Sequence, residues 1–384
     1  YEIPSRVKAI ETAVIESKPN SILLIAGKGH ETTQTYRNKI INRSDKKIIK
    51  NINNKKIKFN KKNYNKIFNA EIVKELTTKK KIRFEGVSIN SKQIKKDNLF
   101  IAIKGKNYDG HIFVKEALKN KASYCVVQKN ITKLDKKKLI KCSNTIKFLN
   151  KLAVLKRNHI NTKLIAITGS SGKTTLKTLI GKTLNKYGKT FFSQKSYNNH
   201  FGVPLSLCNL ESDHKYGVLE IGMSNAGEIR RLSNLVKPDI AIITNIGEAH
   251  IENFNNLNDI AKAKSEIIEN INSGGYLILN RDDRYFSYLS NIAKKRKINF
   301  LSFGKSVKAN GRLIKNKSYK NYNDLHFRVL NKNIYLKVKN INPLIINNIL
   351  FTLLTIHALD LDCSKIINFS NYSQLAEGRG KIQV

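Results

Sequence analysis

The chain has 384 residues, enough for two or three domains with separate cores, and no run in it approaches the ~18 apolar residues of a membrane span. Its 71 lysines and arginines outnumber 28 aspartates and glutamates, a formal net charge of +43. The lysines are interleaved with asparagine and isoleucine rather than gathered into one basic stripe, which argues against a nucleic-acid footprint and leaves anionic small substrates as the implied partners. In chain order, residues 1–45 begin with a helix-like pattern (Val7, Ile10, Val14) and pass into the strand-like SILLIAGKGHE. Residues 46–80 are charge-rich with scattered apolar positions and read as a linker that runs into a short helix near Ile72 to Leu76. From Ile82 the pattern tightens: FEGVSIN, LFIAIKG and SYCVV read as strands and HIFVKEALKNK as a helix.

From Lys163 apolar runs alternate with helical patterns: LIAIT, TTLKTLIGKTLNKYG, YGVLEIG, AGEIRRLSNLV, DIAIITNIG, DIAKAKSEIIENI and GYLILN. This alternation predicts βαβ units, hence an α/β fold with a central parallel sheet covered by helices on both faces. Ligands in such sheets sit at the carboxyl ends of the strands. LHFRVLNKNIYLKVKN reads as an antiparallel hairpin at one edge, and PLIINNILFTLLTIHALDLD as an apolar, core-facing helix. Cys125, Cys142, Cys208 and Cys363 show no metal-ligand spacing, which fits a reducing cytoplasm. The chain starts at Tyr1 without methionine or signal peptide and is expected to be an internal piece of a longer polypeptide.

The stretch LIAITGSSGKTTLKTLI carries the chemistry. A strand ends at Thr168, and Gly169 and Gly172 let the backbone turn tightly so that the amides of Gly169, Ser170, Ser171 and Gly172 point inward. A helix beginning near Lys173 adds its positive dipole end, with Leu176, Leu179, Ile180 and Leu184 at helical spacing and Gly188 placed to cap its far end. Lys173 can neutralise phosphate charge, Thr174 can ligate Mg²⁺, and Thr175 follows in the first turn. Ile167 stands where a full P-loop pattern has its first glycine. A plain glycine-serine turn with a solvated lysine would need neither the strand before it nor the helix after it, so the loop is expected to hold a nucleoside triphosphate. Glu220 ends another buried run, where a carboxylate suits a nucleotide-bound magnesium ion. Asn245 and His250 follow a third run, and Lys262 and Lys264 lie on the helix after that loop.

Taken together and in order, ITGSSGKTT, LEIGMSNAGEI, ITNIGEAHIENF, IAKAKSEI and LNRDD resemble the ATP-binding domain of the Mur ligases, most narrowly the branch that adds D-alanyl-D-alanine. FEGVSINSKQIKKDNLFIAIKGKNYDGHIFVKEAL resembles that branch's UDP-sugar-binding domain, and SYNNHFGVPLSL its loop after the second central strand. Asn90 and Lys92 stand where the family usually has Asp and Arg, and NPLIINN keeps Asn348 but lacks the usual His-Asn pair. SRVKAIETAV, SILLIAGKGHETTQ and RSD instead resemble the extreme C-terminus of the family member that adds the third peptide residue, whose side-chain-contacting loop would include Gly27 and Glu31.

The resemblance implies a remnant of an upstream, fused ligase at 1–45, a linker at 46–80, a UDP-sugar-peptide-binding domain at 81–160 and a central ATP-binding domain at 161–378. Residues 379–384, with Arg379 at the hinge, would begin a C-terminal domain that is otherwise missing. It implies a monomeric cytoplasmic ligase of peptidoglycan precursor synthesis that joins D-alanyl-D-alanine to UDP-N-acetylmuramoyl-tripeptide, with ATP and Mg²⁺ and through an acyl phosphate. Lys173, Glu220, His250 and Lys264 would be catalytic, with Thr174, Glu220 and His250 holding metal and Lys264 matching a lysine that is carbamylated in some relatives. Asn245, Asn280 and Asn348 would join the phosphate loop in holding nucleotide. Ser88, Asn90, Ser91, Asn198 and Asn199 would face the UDP-sugar-peptide. The alternatives are the third-residue-adding ligase, a folylpolyglutamate synthetase-like ligase, and a basic nucleic-acid-binding ATPase, for which no clustered stripe with stacking aromatics is seen.

Overall fold

The computed structural model describes residues 82–363, apart from 106–107, 132–133, 194–195 and 340–341. Before them it describes 9–10, 12–13, 24–25, 33–36, 39–42, 44–45, 65–66 and 68–77. The chain divides into two compact units, 1–70 and 71–384, a boundary that falls inside the stretch expected to be a linker. In the first unit, β1 (Thr33–Tyr36) and β2 (Lys39–Asn42) form an antiparallel hairpin with Thr33 opposite Asn42. The expected Gly27 and Glu31 contacts and the hinge at Arg379 lie outside the described residues. The short helix expected at 72–76 is helical over 68–74 and turns at 75–76.

In the second unit, β3 (Val87–Ser88), β4 (Leu99–Ile101), β5 (Tyr124–Val127) and β6 (Leu139–Lys141) form a parallel sheet in that order. The strand expected over FEGVSIN shrinks to two residues because Asn90 turns to cap a 3-10 turn at Ser91–Gln93, accepting from Lys92 N. The helix expected over HIFVKEALKNK is a 3-10 turn followed by α1 (Val114–Lys119), whose Val114 and Ala117 pack with Phe100, Cys125 and Val127. A helix the periodicity did not announce, α2 (Thr145–Asn158), follows β6. Three lysines and an arginine interrupt it, but Phe148, Leu149, Leu152 and Ala153 share a buried face, and Asn144 Oδ1 accepts from Lys147 N at 2.8 Å as the N-cap.

The larger sheet begins with β7 (Lys163–Thr168), whose KLIAIT is buried beyond the first residue, as a strand covered on both faces must be. Around it run β8 (Thr190–Phe192), β9 (Tyr216–Glu220), β10 (Ile240–Ile243), β11 (Tyr276–Asn280) and β12 (Asn299–Phe303), all parallel. β13 (Gly311–Ser318), β14 (Asn323–Val329) and β15 (Lys332–Val338) extend it, the last two as the expected antiparallel edge hairpin. The nine strands are ordered β15-β14-β13-β12-β11-β10-β7-β9-β8. Chain order therefore reverses across β7, with β9 and β8 on one side and β10 to β12 on the other. The loop leaving β7 opens at the topological switch point, where α/β sheets bind their ligands.

Helices α3 (Lys173–Leu184), α4 (Gly202–Cys208), α5 (Glu228–Val236), α6 (Leu257–Ser265), α7 (Phe286–Lys295) and α8 (Pro343–Ala358) complete the unit. On α3, Leu176, Leu179, Ile180 and Leu184 are buried in one cluster with Ile165, Ile167 and the apolar residues of α8. Asn185 is its C-cap, so Gly188 lies three residues beyond the cap position expected for it, although its amide still reaches Leu184 O. Among the described residues no helix is long and apolar enough to cross a membrane.

One of the side chains that tie the two sheets together does so at the edge of the smaller one. Asn209, the C-cap of α4, accepts from Val87 N at 2.9 Å and donates back to Val87 O at 2.9 Å, reproducing with an amide what a neighbouring strand would offer β3. Beside it a cleft of about 870 Å³ is lined from both sheets, by Ser88, Gln93 and Asn98 on one side and by Ser193, Tyr197 and His214 on the other. Asn209→Ala would strip Val87 of both partners and is expected to cost about 1–3 kcal/mol, read as a lower denaturant midpoint at unchanged slope. An unchanged midpoint would show that the clasp contributes nothing to holding the sheets together.

Candidate active site

The loop after β7 owes its path to a close approach. Gly169 has φ +140, and a Cβ there would stand 1.9 Å from Thr244 Oγ1 and 2.9 Å from Thr244 N, so only glycine fits. The next residues are tied to the segment following β10. Ser170 N donates to Asn245 O at 3.0 Å, while Ser170 Oγ donates to Gly247 O at 2.9 Å and accepts from Gly247 N at 2.8 Å. Ser171 N donates to Asn245 Oδ1 at 3.0 Å, and Thr244 Oγ1 donates to Ser171 O at 2.7 Å. Asn245, expected on the nucleotide, thus braces the loop itself. Thr244 and Gly247 were not anticipated; the TNIG that follows a buried run was their signal in the sequence.

Gly172 is the N-cap of α3 in the left-handed conformation, φ +78, with no atom within 4 Å of its Cβ position and no side-chain cap hydrogen bond. The first amides of a twelve-residue helix, at Lys173, Thr174 and Thr175, are therefore left for another acceptor. Lys173 Nζ donates to Gly169 O at 2.7 Å and Ser170 O at 3.3 Å, which holds the ammonium over the loop. Burial lowers its pKa, with Glu220 working in the opposite direction.

Glu220 ends β9 almost fully enclosed, 2% exposed. Thr174 Oγ1 donates to Glu220 Oε2 at 2.8 Å and lies 3.2 Å from Ser196 Oγ, and Asn198 Nδ2 donates to Glu220 Oε1 at 2.9 Å. A third group, which sequence reasoning did not single out, is Lys177, fully buried one turn after Lys173. Its Nζ lies 3.6 Å from Glu220 Oε2 and donates to Ser193 Oγ at 3.1 Å. The sequence signal was a lysine at i+4 from the loop lysine, on the apolar side of the helix.

Lys264 lies on α6, 2% exposed, and its pKa is pushed down to about 7 by burial and by the nearby positive charge of Lys173. Lys262 on the same helix is exposed and pairs with Asp259 at 3.3 Å. His250 stands apart from the Thr174–Glu220 pair in its hydrogen bonding. It caps a 3-10 turn in the left-handed region at φ 64, half exposed, with Nδ1 3.7 Å from Glu252 Oε1. Asn280 Oδ1 accepts from Asp282 N at 3.0 Å at the end of β11, and Asn348 is buried on α8.

The expected substrate residues divide. Asn198 is drawn to Glu220, whereas Asn199 Oδ1 accepts from Phe201 N and Gly202 N and so starts α4. Ser88 lines the cleft and donates to Asn90 O, Asn90 caps its 3-10 turn, and Ser91 Oγ donates to Glu116 at 2.6 Å. Among the described residues no group of three His, Cys, Asp or Glu side chains gathers as a metal site. The oxygens that do converge, from Thr174, Ser196 and Glu220, are the hard donors and small protein share that a nucleotide-bound Mg²⁺ takes.

Residues 83–157 match the model of the Mur ligase family catalytic domain, and residues 167–356 that of the Mur ligase middle domain. The UDP-N-acetylmuramoyl-tripeptide--D-alanyl-D-alanine ligase of Rickettsia prowazekii is 37% identical over 77% of this chain and 66% of its own length. The chain spans about half the length of other curated relatives it matches, 49% and 48% in two of them. Among solved structures, MurF from Acinetobacter baumannii superposes with a TM-score of 0.69 at 25% identity, covering 81% of this chain and 68% of that one. MurF from Thermotoga maritima, in complex with ADP, gives 0.63 at 28% identity over 74% and 65%. With both family models falling on the two sheets just described, the chain belongs to the Mur ligase family.

Proposed function

We propose that the chain is the UDP-substrate- and nucleotide-binding part of a cytoplasmic, ATP-dependent ligase that joins D-alanyl-D-alanine to UDP-N-acetylmuramoyl-tripeptide. The observation that carries this reading is the uncapped, glycine-turned start of α3, with Lys173 over it and the Thr174–Glu220 pair beside it, at the switch point of the large sheet. The named relatives supply the substrate class. On this reading residues 81–160 bind the UDP-sugar-peptide and 161–378 bind ATP. Residues 1–45 are the trailing part of a fused third-residue-adding ligase.

Amide formation from a carboxylate is blocked by its poor leaving group. Transfer of the γ-phosphoryl group of ATP to the tripeptide carboxylate gives an acyl phosphate; the amine of D-alanyl-D-alanine then attacks it and phosphate leaves. Two anions must meet, so the protein's part is to position them and neutralise charge. The amides at the start of α3 and Lys173 would hold the β- and γ-phosphates. Thr174 and Glu220 would hold Mg²⁺, which supplies charge neutralisation on the transferred group, and His250 would help to hold a second ion. Lys264, with its pKa near neutrality, would be unprotonated often enough to take up CO₂ as a carbamate. Ser88 and Asn198 would face the UDP-sugar-peptide from the cleft side.

Turnover with UDP-N-acetylmuramoyl-tripeptide, ATP and D-alanyl-D-alanine, in the ligase extended to the length of its relatives, tests the reading. Activity is expected there, and exclusive use of the dipeptide-stage substrate with a third amino acid would favour the other Mur branch. Lys173→Ala should weaken MgATP binding about tenfold to a hundredfold with little change in thermal midpoint. Equal affinity would remove the lysine from the phosphate site. Lys264 binds its proton more weakly in the fold, about 7 against 10.5, so the unfolded chain takes the proton first as pH falls. Stability should fall from about pH 10 to about pH 7, and Lys264→Met should flatten that slope in thermal midpoints. The same variant should lose any stimulation of turnover by bicarbonate, and retained stimulation would retire the carbamate.

A further inference from the structure

Lys177 has no place in the mechanism above, yet it is among the most enclosed charged groups of the described residues, with 0% side-chain exposure. Lysine is almost never fully buried unless paired, because taking an ammonium out of water costs far more than its carbon stem recovers. Its surroundings account for it. Lys173 and Lys177 are one turn apart on α3, the first directed to the loop carbonyls and the second to the end of β9. Glu220 Oε2 is shared between Thr174 Oγ1 at 2.8 Å and Lys177 Nζ at 3.6 Å, while Oε1 receives Asn198 Nδ2 at 2.9 Å. The carboxylate is thus held from three directions, and only one of the three carries charge.

A buried ion pair is a poor way to stabilise a fold, since a well-packed apolar pair is often as good or better. A lysine kept there anyway points to what the carboxylate does. We propose that Lys177 is a positioning residue for the nucleotide-bound cation: it balances the charge of Glu220 and fixes the plane of its carboxylate beside Thr174. Through Ser193 Oγ, 3.1 Å from Lys177 Nζ, the same ammonium reaches the wall of the cleft of about 870 Å³ between the two sheets. This rests on the nucleotide-site reading and adds to it a residue that touches neither phosphate nor metal.

The test measures ADP affinity of the full chain with and without Mg²⁺. In the unaltered protein Mg²⁺ should tighten binding. Lys177→Met, of similar length and no charge, should cut that gain about tenfold or more while metal-free affinity stays as it was, the size expected for removing a group that orients a metal ligand. An unchanged Mg²⁺ gain in folded Lys177→Met overturns the proposal. If Lys177→Met does not fold, the double variant Lys177→Met with Glu220→Gln decides. A folded double variant with normal metal-free affinity supports the pairing, because the uncompensated carboxylate was then the cause. A double variant that also fails to fold overturns it, because the lysine then acts in packing independently of Glu220. Unaltered protein that binds ADP equally with and without Mg²⁺ overturns the proposal but leaves the nucleotide site standing, whereas unaltered protein that binds no ADP removes the nucleotide-site reading itself, and the proposal falls with it.

Discussion

Everything at the head of the large sheet depends on how closely one backbone passes another. At Gly169 the chain leaving β7 comes so near Thr244 that a single added carbon would overlap the threonine hydroxyl. That approach lets the two serines after it lie flat against residues 244–247 and trade hydrogen bonds with them. The loop is then fixed at both ends, by its own strand and by the neighbouring one, and the start of α3 inherits its direction. Thr174 reaches Glu220 because of that direction, and little ordering is left to be lost when an anion arrives.

The electrostatics have the same organisation. Lys173, Lys177 and Lys264 are drawn inward around a site whose nearest enclosed carboxylate is Glu220, and burial lowers the pKa of all three. Lys173 and Lys264 also repel one another across the site. A multiply charged anion at the start of α3 would relieve both strains at once, so the charge arrangement and the loop backbone favour the same kind of ligand.

The sequence showed most of this where residues had to be buried on both faces. LIAIT, YGVLEIG and DIAIIT could be nothing but inner strands, and Glu220 stood out because it ends such a run. What stayed hidden was held by partners distant in the chain. GRLIKNKS shows no apolar alternation, since β13 gains its place by pairing with β14 and leaves most of its side chains exposed. TFF is three residues at a sheet edge, too short for periodicity to register. In α2 the apolar face was diluted by three lysines and an arginine. Asn199 and Asn245 were seen as polar residues near a site, but their hydrogen bonds go to backbone, which spacing alone cannot reveal. Lys177 escaped notice for the opposite reason: a lysine on a lysine-rich helix looks solvated until its neighbours are known.

The amide of Asn209 has a second consequence. β3 is an edge strand of the smaller sheet, and an open sheet border offers bare donors and acceptors to any extended segment that drifts by. By filling both hydrogen-bonding positions of Val87, one side chain ends the sheet there without committing another strand. Gly86 reinforces this, since a Cβ at that position would stand 2.9 Å from Asn209 Oδ1 and push the amide away. This tie between the sheets therefore also closes the border of the smaller sheet, since Val87 has neither donor nor acceptor left for a passing strand.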